Sequence, residues 1–400
     1  MKIYFSKVKG TSVGLYLLLG ILIVLAVGGL YSSFLMYTKG HYLTGMNNQV
    51  PWGLPIVLTI YLIGLSAGSL VLSSLSSVFG QIEYKGFARV TAYLATLLLI
   101  GALLSLTLDL GRPERITLAF FYFNPNSIFS WNGFLYSTYI LICIVYLWAM
   151  FAERDRLIKA IGLLAIIWAI GVHSGTGGIF GFVSARELYH SPLTPPSFVA
   201  TALSSSTALI IILLMLTFKF TNRFLDLRLI VGLGRLLAAF ILVVLYFLLV
   251  ENLTRAYSPA NYSATHFLLF SGNVYCLVFW IGLILIGSII PAIILFNPKT
   301  KNSVGWIIVS SALVVFGVLC ERFIIIMPGQ ILPLELFPGQ EISSTFMDGA
   351  IGSYFISVPE IAQGGGILAI IGILYILGLK LFALLPDEAK YNKKGENKDV

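Results

Sequence analysis

Apolar runs of about twenty residues, the length that crosses a bilayer as a helix, recur along the whole 400-residue chain. Ten are read, at 13–37, 53–79, 88–110, 130–151, 157–180, 196–218, 233–250, 266–296, 306–326 and 364–385. In hydrocarbon an open strand leaves backbone amides unpaired, and these runs are far longer than barrel strands, so the runs must be helices. The expected fold is an all-α polytopic membrane protein, one integral membrane domain over 1–386 with a short charged tail over 387–400. Composition agrees: only 10% of residues are charged, against roughly a quarter in soluble domains.

A net charge of +8 raises the question of a nucleic-acid partner. The placement of the charges answers it. Nineteen of the 25 basic residues fall at the termini and in alternate connections, with 8 carboxylates; the other connections hold 6 basic residues and 9 carboxylates. By the positive-inside rule the basic face is cytoplasmic, which puts both termini there in the cell membrane and requires an even number of spans. The basic character is topology, and no nucleic acid is expected.

The N-terminus has a basic start and an apolar stretch, but no small-residue cleavage site closes that stretch, so a retained first helix is expected. Cys143, Cys276 and Cys320 all fall within spans without a Cys-x-x-Cys pair; neither a disulfide framework nor a metal site is indicated. The external connections 110–129, 181–195, 251–265 and 327–363 are longer than the internal ones, and long loops often carry function. All four histidines, His41, His173, His190 and His266, are expected at this face. His173 and His266 would be the pair for a bis-histidine haem, but a single such pair does not make a haem site, and no bound metal or haem is expected.

The third span runs into Leu108-Asp109-Leu110-Gly111-Arg112-Pro113-Glu114-Arg115. Asp109 there is either the ion-paired cap of a helix or a cavity-facing carboxylate that passes protons. The fifth span ends in five glycines within eleven residues, 171–181, where each glycine costs a helix about 1 kcal/mol relative to alanine. Something must approach that backbone closely: a neighbouring helix, given the Gly171/Gly175 and Gly64/Gly68 spacings, or a flat ligand with His173 donating to it. Glu187 and His190 follow in the next connection, Glu251 and Arg255 pair at i and i+4 on the seventh helix, and Glu321-Arg322 close the ninth. Asp109, His173, Glu187, His190, Glu251 and Arg255 are expected to gather at one membrane level.

Several of these segments form a recognisable set: Pro51-Trp52-Gly53, Gly64-Leu65-Ser66-Ala67-Gly68, the Leu108–Arg115 stretch, Asn124-Pro125 with Ser130-Trp131, His190-Ser191-Pro192, and Arg322 followed by Pro328-Gly329-Gln330. Together they resemble the NrfD-like, polysulfide-reductase membrane-subunit family in its ten-helix form, as found in sulfur-metabolism, hydrogenase-linked and alternative complex III assemblies. The resemblance implies two four-helix bundles, spans two to five and six to nine, flanked by the first and tenth. It implies a subunit without redox cofactors of its own that exchanges electrons between menaquinone or another quinone and an extracytoplasmic ferredoxin-like iron–sulfur subunit, which serves a molybdopterin or hydrogenase catalytic subunit. Sulfur-compound metabolism is the expected setting.

Quinone chemistry moves two electrons and two protons, so the site needs a hydrogen-bonding group at each ring oxygen and a proton carrier. The candidates are Asp109, His173, Glu187, His190 and Glu251, with Arg112, Arg255 and Arg322 tuning the carboxylates. Two rival readings stand beside this one. A secondary transporter or proton-translocating protein would carry its charges near the bilayer midplane, and a purely structural anchor would need no polar cluster at all.

Overall fold

The computed structural model describes residues 3–333 and 349–387. Ten helices in it are long and apolar enough to cross a membrane: α1 (Val13–Lys39), α2 (Leu54–Ser73), α3 (Ala88–Asp109), α4 (Ile128–Phe151), α5 (Asp155–Gly181), α6 (Thr194–Phe220), α7 (Leu227–Tyr257), α8 (Val274–Phe296), α9 (Val304–Ile331) and α10 (Val358–Leu381). Their starts follow local chemistry. Ser12 accepts from the Leu15 amide ahead of α1, prolines occupy the first turn of α2 and α6, where a missing N–H is harmless, and a reciprocal Ser357/Glu360 capping box opens α10.

Helices α2 to α5 form one four-helix bundle and α6 to α9 a second; α2 and α5 pack on α6 to join them, while α1 lies against α10, which leans on α3. The expected architecture is present. Two short strands, β1 (Phe5–Ser6) and β2 (Leu385–Pro386), pair antiparallel, so the first and last described segments lie together at one end of the bundles, opposite the distal end. Arg223 donates to the Pro386 carbonyl at 2.9 Å and Arg89 to that of Ala383 at 3.3 Å, tying the strand pair to the helices.

Small residues set the spacing. The bundles touch where Ser206 donates to the carbonyls of Gly64 and Leu65 at 3.1 and 3.0 Å; a Cβ on Gly68 would stand 2.6 Å from the Ala202 oxygen. Gly29 of α1 and Gly366 of α10 cross equally closely.

Several boundaries differ from the sequence reading: α2 stops at Ser73 where 79 was expected, and α7 runs over Leu227–Tyr257 where 233–250 was expected. The run at 266–296 is not one span: a short helix, Tyr262–Leu269, ends in a turn where Gly272 takes a positive φ of 68°, and Asn273 then caps α8 by accepting from the Cys276 amide. Residues Val278–Ile289 of α8 are wound as a π-helix. The ninth helix continues past Glu321-Arg322 and through Pro328 to Ile331, because Arg186 supplies what the helix end lacks, donating to the Gly329 and Gln330 carbonyls at 2.8 and 3.1 Å. The tenth begins six residues before position 364, at Val358.

The α1/α10 crossing is directly testable. A Cβ on Gly29 would lie 2.6 Å from the Gly366 Cα and 2.7 Å from the Ala362 oxygen. Gly29→Leu is expected to destabilise the protein by about 1–3 kcal/mol through overpacking, read as a lowered unfolding midpoint in detergent; an unchanged midpoint would show that the pair does not pack as described.

Candidate functional site

Polar side chains buried at or below the distal end fall into two groups. The first lies where α3, α10 and the connection between α1 and α2 meet. Glu360, in the first turn of α10, is 0% exposed. Its Oε1 accepts from the Tyr354 hydroxyl at 2.6 Å and the Leu54 amide at 3.2 Å; its Oε2 accepts from the Ser357 amide and hydroxyl at 2.9 and 2.8 Å and the Gly45 amide at 3.1 Å. Asp109, the last residue of α3, interacts electrostatically with Glu360, yet its buried Oδ1 has no hydrogen-bond partner. One turn along α10 from Glu360, the Gln363 side chain is buried with both its oxygen and its nitrogen unpartnered. Unpartnered buried amide and carboxyl atoms are expensive. A ligand carbonyl oxygen would accept from the Gln363 nitrogen, and a ligand hydroxyl would donate to an Asp109 or Gln363 oxygen.

Around this group, burial holds His41 below the usual imidazole range against the opposing pull of the Glu360 charge. Burial, then the hydrogen bond to Glu360 and its charge, push the Tyr354 hydroxyl well above the usual tyrosine range, so it remains a donor. The ion-paired-cap reading of Asp109 does not hold: among the described residues no salt bridge includes it, and Arg112 and Arg115 are exposed.

The second group lies within the second bundle. Glu321 and Arg322 are each 1% exposed, ten residues before the end of α9, or about 15 Å at 1.5 Å per residue. The Arg322 guanidinium lies 3.9 Å over the Phe198 ring and donates to the Thr201 hydroxyl. Its Nη1 is 4.0 Å from Glu321 Oε1, and both Glu321 oxygens lack hydrogen-bond partners. Glu321, Glu251 and Arg255 line one narrow cavity with Thr194, Ser197 and Asn252, its enclosed core about 40 Å³, room for a water or two. Arg255 pairs with Glu251 at 2.8 Å and donates to the Leu188 carbonyl at 2.9 Å.

Comparison with known proteins decides the family. Residues 42–333 match the family model described as polysulphide reductase, NrfD. The chain belongs to the NrfD family. It is 43% identical over 393 residues, covering 97% of this chain and 98% of the relative, to the Hdr-like menaquinol oxidoreductase integral membrane subunit of Archaeoglobus fulgidus. It is 29% identical to a selenate reductase subunit of Mesobacillus selenatarsenatis, over 94% of each protein. Against a polysulfide reductase chain of Wolinella succinogenes it is 23% identical over 71% of its own length and 95% of the relative.

In this NrfD-family member the sequence-derived candidates do not form one cluster. Asp109 stands with Glu360, and Glu251 and Arg255 stand with Glu321, about 9 Å inside the end of α7 by helical rise. His173 is 2% exposed inside the first bundle, its Nε2 facing Gly64 and its ring feeling the charge of Arg322 across the bundle interface. Glu187 is half-buried and His190 exposed in the connection after α5. His266 is exposed on its own short helix, apart from His173. The glycine run of α5 is regular helix, and protein covers it: Gly175 meets Asn132, Gly177 meets Pro195 and Gly181 meets the Ser191 carbonyl. The neighbouring segments account for the close approach at these three glycines.

Sequence reasoning passed over Glu360, Gln363 and the depth of Glu321-Arg322. The Ser357-x-x-Glu360 spacing before an apolar run is a helix-start signature that marks α10 correctly; nothing local to Glu321-Arg322 reveals that α9 continues through Pro328 to Ile331. Removing one partner of a buried charge pair leaves the other uncompensated, at about 3–5 kcal/mol. Arg322→Ala is therefore expected to destabilise strongly, with the Arg322→Met/Glu321→Gln double variant recovering most of the loss; equal unfolding midpoints for Arg322→Ala and wild type would refute the buried pair.

Proposed function

We propose that this protein is the quinone-interacting membrane subunit of a respiratory oxidoreductase complex, passing electrons between the membrane quinone pool and an extracytoplasmic iron–sulfur subunit that serves a molybdopterin-type catalytic partner. The menaquinol in the name of the Archaeoglobus relative, which matches along nearly the full length of both chains, supports the quinone assignment. The selenate and polysulfide reductase relatives support a catalytic partner and a sulfur- or chalcogen-compound setting.

The observation that carries the site is the coincidence of unpartnered buried atoms on Asp109 and Gln363 beside the fully occupied Glu360. A quinone head group brings two ring oxygens, and a ring oxygen set between these residues would take a hydrogen bond from the Gln363 amide and exchange a proton with Asp109. Oxidation of one quinol releases two electrons and two protons; the electrons pass to the docked partner and the protons leave through Asp109 towards the distal face. His173, Glu187, His190 and Glu251 lie outside this site, and Arg112 faces solvent. With the basic connections placed inside, the distal face is extracytoplasmic. Residues 110–129, whose Phe121 and Tyr122 are 82% and 80% exposed, and the external connection 327–363 would then form the docking surface for the partner; residues 334–348 of the latter lie outside the described residues.

One observation favours an additional role in proton passage. Glu321, Arg322 and Glu251 place ionisable groups inside a spanning bundle, where they are rare and mark ion or proton paths.

Asp109→Asn and Gln363→Leu are each expected to weaken saturable fluorescence quenching by a quinol analogue about tenfold, the scale of one charge-assisted hydrogen bond, with His190→Ala unchanged. Wild-type binding retained in both site variants would reject this site, and no saturable binding to folded wild type would favour the anchor reading. For sidedness, a cysteine at Glu114 is expected to react with an impermeant maleimide in intact cells and one at Lys301 only after permeabilisation; the reverse pattern would invert the topology.

A further inference from the structure

The buried carboxylate of Glu360 acts electrostatically on the largely buried carboxyl of Asp109, and their surroundings differ. A carboxylate has about four lone-pair directions. Glu360 receives five donors, from the Gly45, Leu54 and Ser357 amides and the Tyr354 and Ser357 hydroxyls. No direction is left for a proton of its own. Asp109 has the opposite environment, with a buried oxygen that nothing satisfies. Among the described residues no salt bridge reaches either carboxylate; of the groups near the pair, burial disfavours the charged form of His41, Tyr354 is held as a hydroxyl and Gln363 is uncharged. Two like charges buried together without a cation are relieved when one group takes a proton.

We propose that Glu360 carries the negative charge of this pair and Asp109 carries its proton, so that Glu360 acts as the positioning residue that clamps the rim of the site while Asp109 is the exchangeable acid. The clamp is visible in the origin of the donors. Gly45 belongs to the connection after α1, Leu54 begins α2, and Tyr354 and Ser357 precede α10; one carboxylate ties three separate segments together over the end of α3. Neutralising it as an amide removes an acceptor from at least one side and places N–H against N–H, which opens the rim. In this division of labour Glu360, and no arginine, is the charged neighbour of the proton carrier. The role of Asp109 towards quinone rests on the functional reading above, whereas the assignment of charge and proton does not.

Two measurements on the purified full chain, both without quinone, test the assignment. Infrared spectroscopy at neutral pH is expected to show a protonated-carboxyl C=O band that is lost in Asp109→Asn; a band persisting at full intensity in Asp109→Asn and lost in Glu360→Gln would put the proton on Glu360 and overturn the proposal. Hydrogen–deuterium exchange is expected to quicken at least tenfold at the Gly45 and Leu54 amides in Glu360→Gln and to stay at the wild-type rate there in Asp109→Asn. Unchanged exchange in folded Glu360→Gln would refute the clamp. If both readouts behave as expected while quinol-analogue binding is absent, the carboxylate assignment stands and the quinone reading falls.

Discussion

Hydrocarbon offers no hydrogen-bond partners, so each polar atom of this chain must be satisfied by another part of the chain or left at a cost of several kcal/mol. The helices follow from that constraint, and so does the behaviour of their serines and threonines, which turn back onto carbonyls four residues earlier, as Thr59 does to Pro55, Ser69 to Leu65 and Ser311 to Ile307. Ser206 instead uses its hydroxyl across the bundle interface, on two carbonyls of α2. Lipid chains are as apolar as leucine and drive no hydrophobic association between helices. Contact therefore depends on close backbone approach at Gly68, Gly29 and Gly366, and on a few such hydrogen bonds.

Against this background the polar atoms that remain unsatisfied carry information. Most of the ionisable side chains are at the ends or on the surface, and Arg89, although buried, is fully employed, with the Met150 carbonyl at 2.8 Å, Glu153 at 3.3 Å and the Phe5 ring beneath its guanidinium. Asp109 Oδ1, the Gln363 amide, both Glu321 oxygens and part of the Arg322 guanidinium are buried without hydrogen-bond partners. A protein that maintains such groups in lipid gains something other than stability from them. The two groups also differ in kind: the first sits at helix ends beside exposed connections and can meet a partner subunit, while the second lies one to three turns deep with space for little more than water.

The fold was largely legible because the property that determines it, runs of apolar residues matching bilayer thickness, is local and one-dimensional. Even the bundle arrangement followed once the resemblance was drawn. The error that mattered most for the site fell where a helix outran its expected end. α9 continues through Pro328 because Arg186, from a different connection, caps its carbonyls, and that continuation carries Glu321-Arg322 from an expected rim into the interior. The glycine run of α5 announced a close approach correctly but did not say by what; Asn132 and Pro195, distant in sequence, are the answer.

By itself the sequence determined the solvent of this protein, the number of its spans, the parity that brings both termini to one end, and a family resemblance carried by residues such as Asp109, Gly111, Arg112 and Pro113. Those are consequences of composition, period and motif, which need no knowledge of what lies beside what. Tertiary structure alone decided which polar residues share a site, because a side chain's partners come from other helices and its depth depends on where those helices end. Asp109 acquires its meaning from Glu360, 251 residues away along the chain, and Glu321 from Glu251 and Arg322; burial and the absence of a partner, the two facts that single these groups out, exist only once the helices are packed.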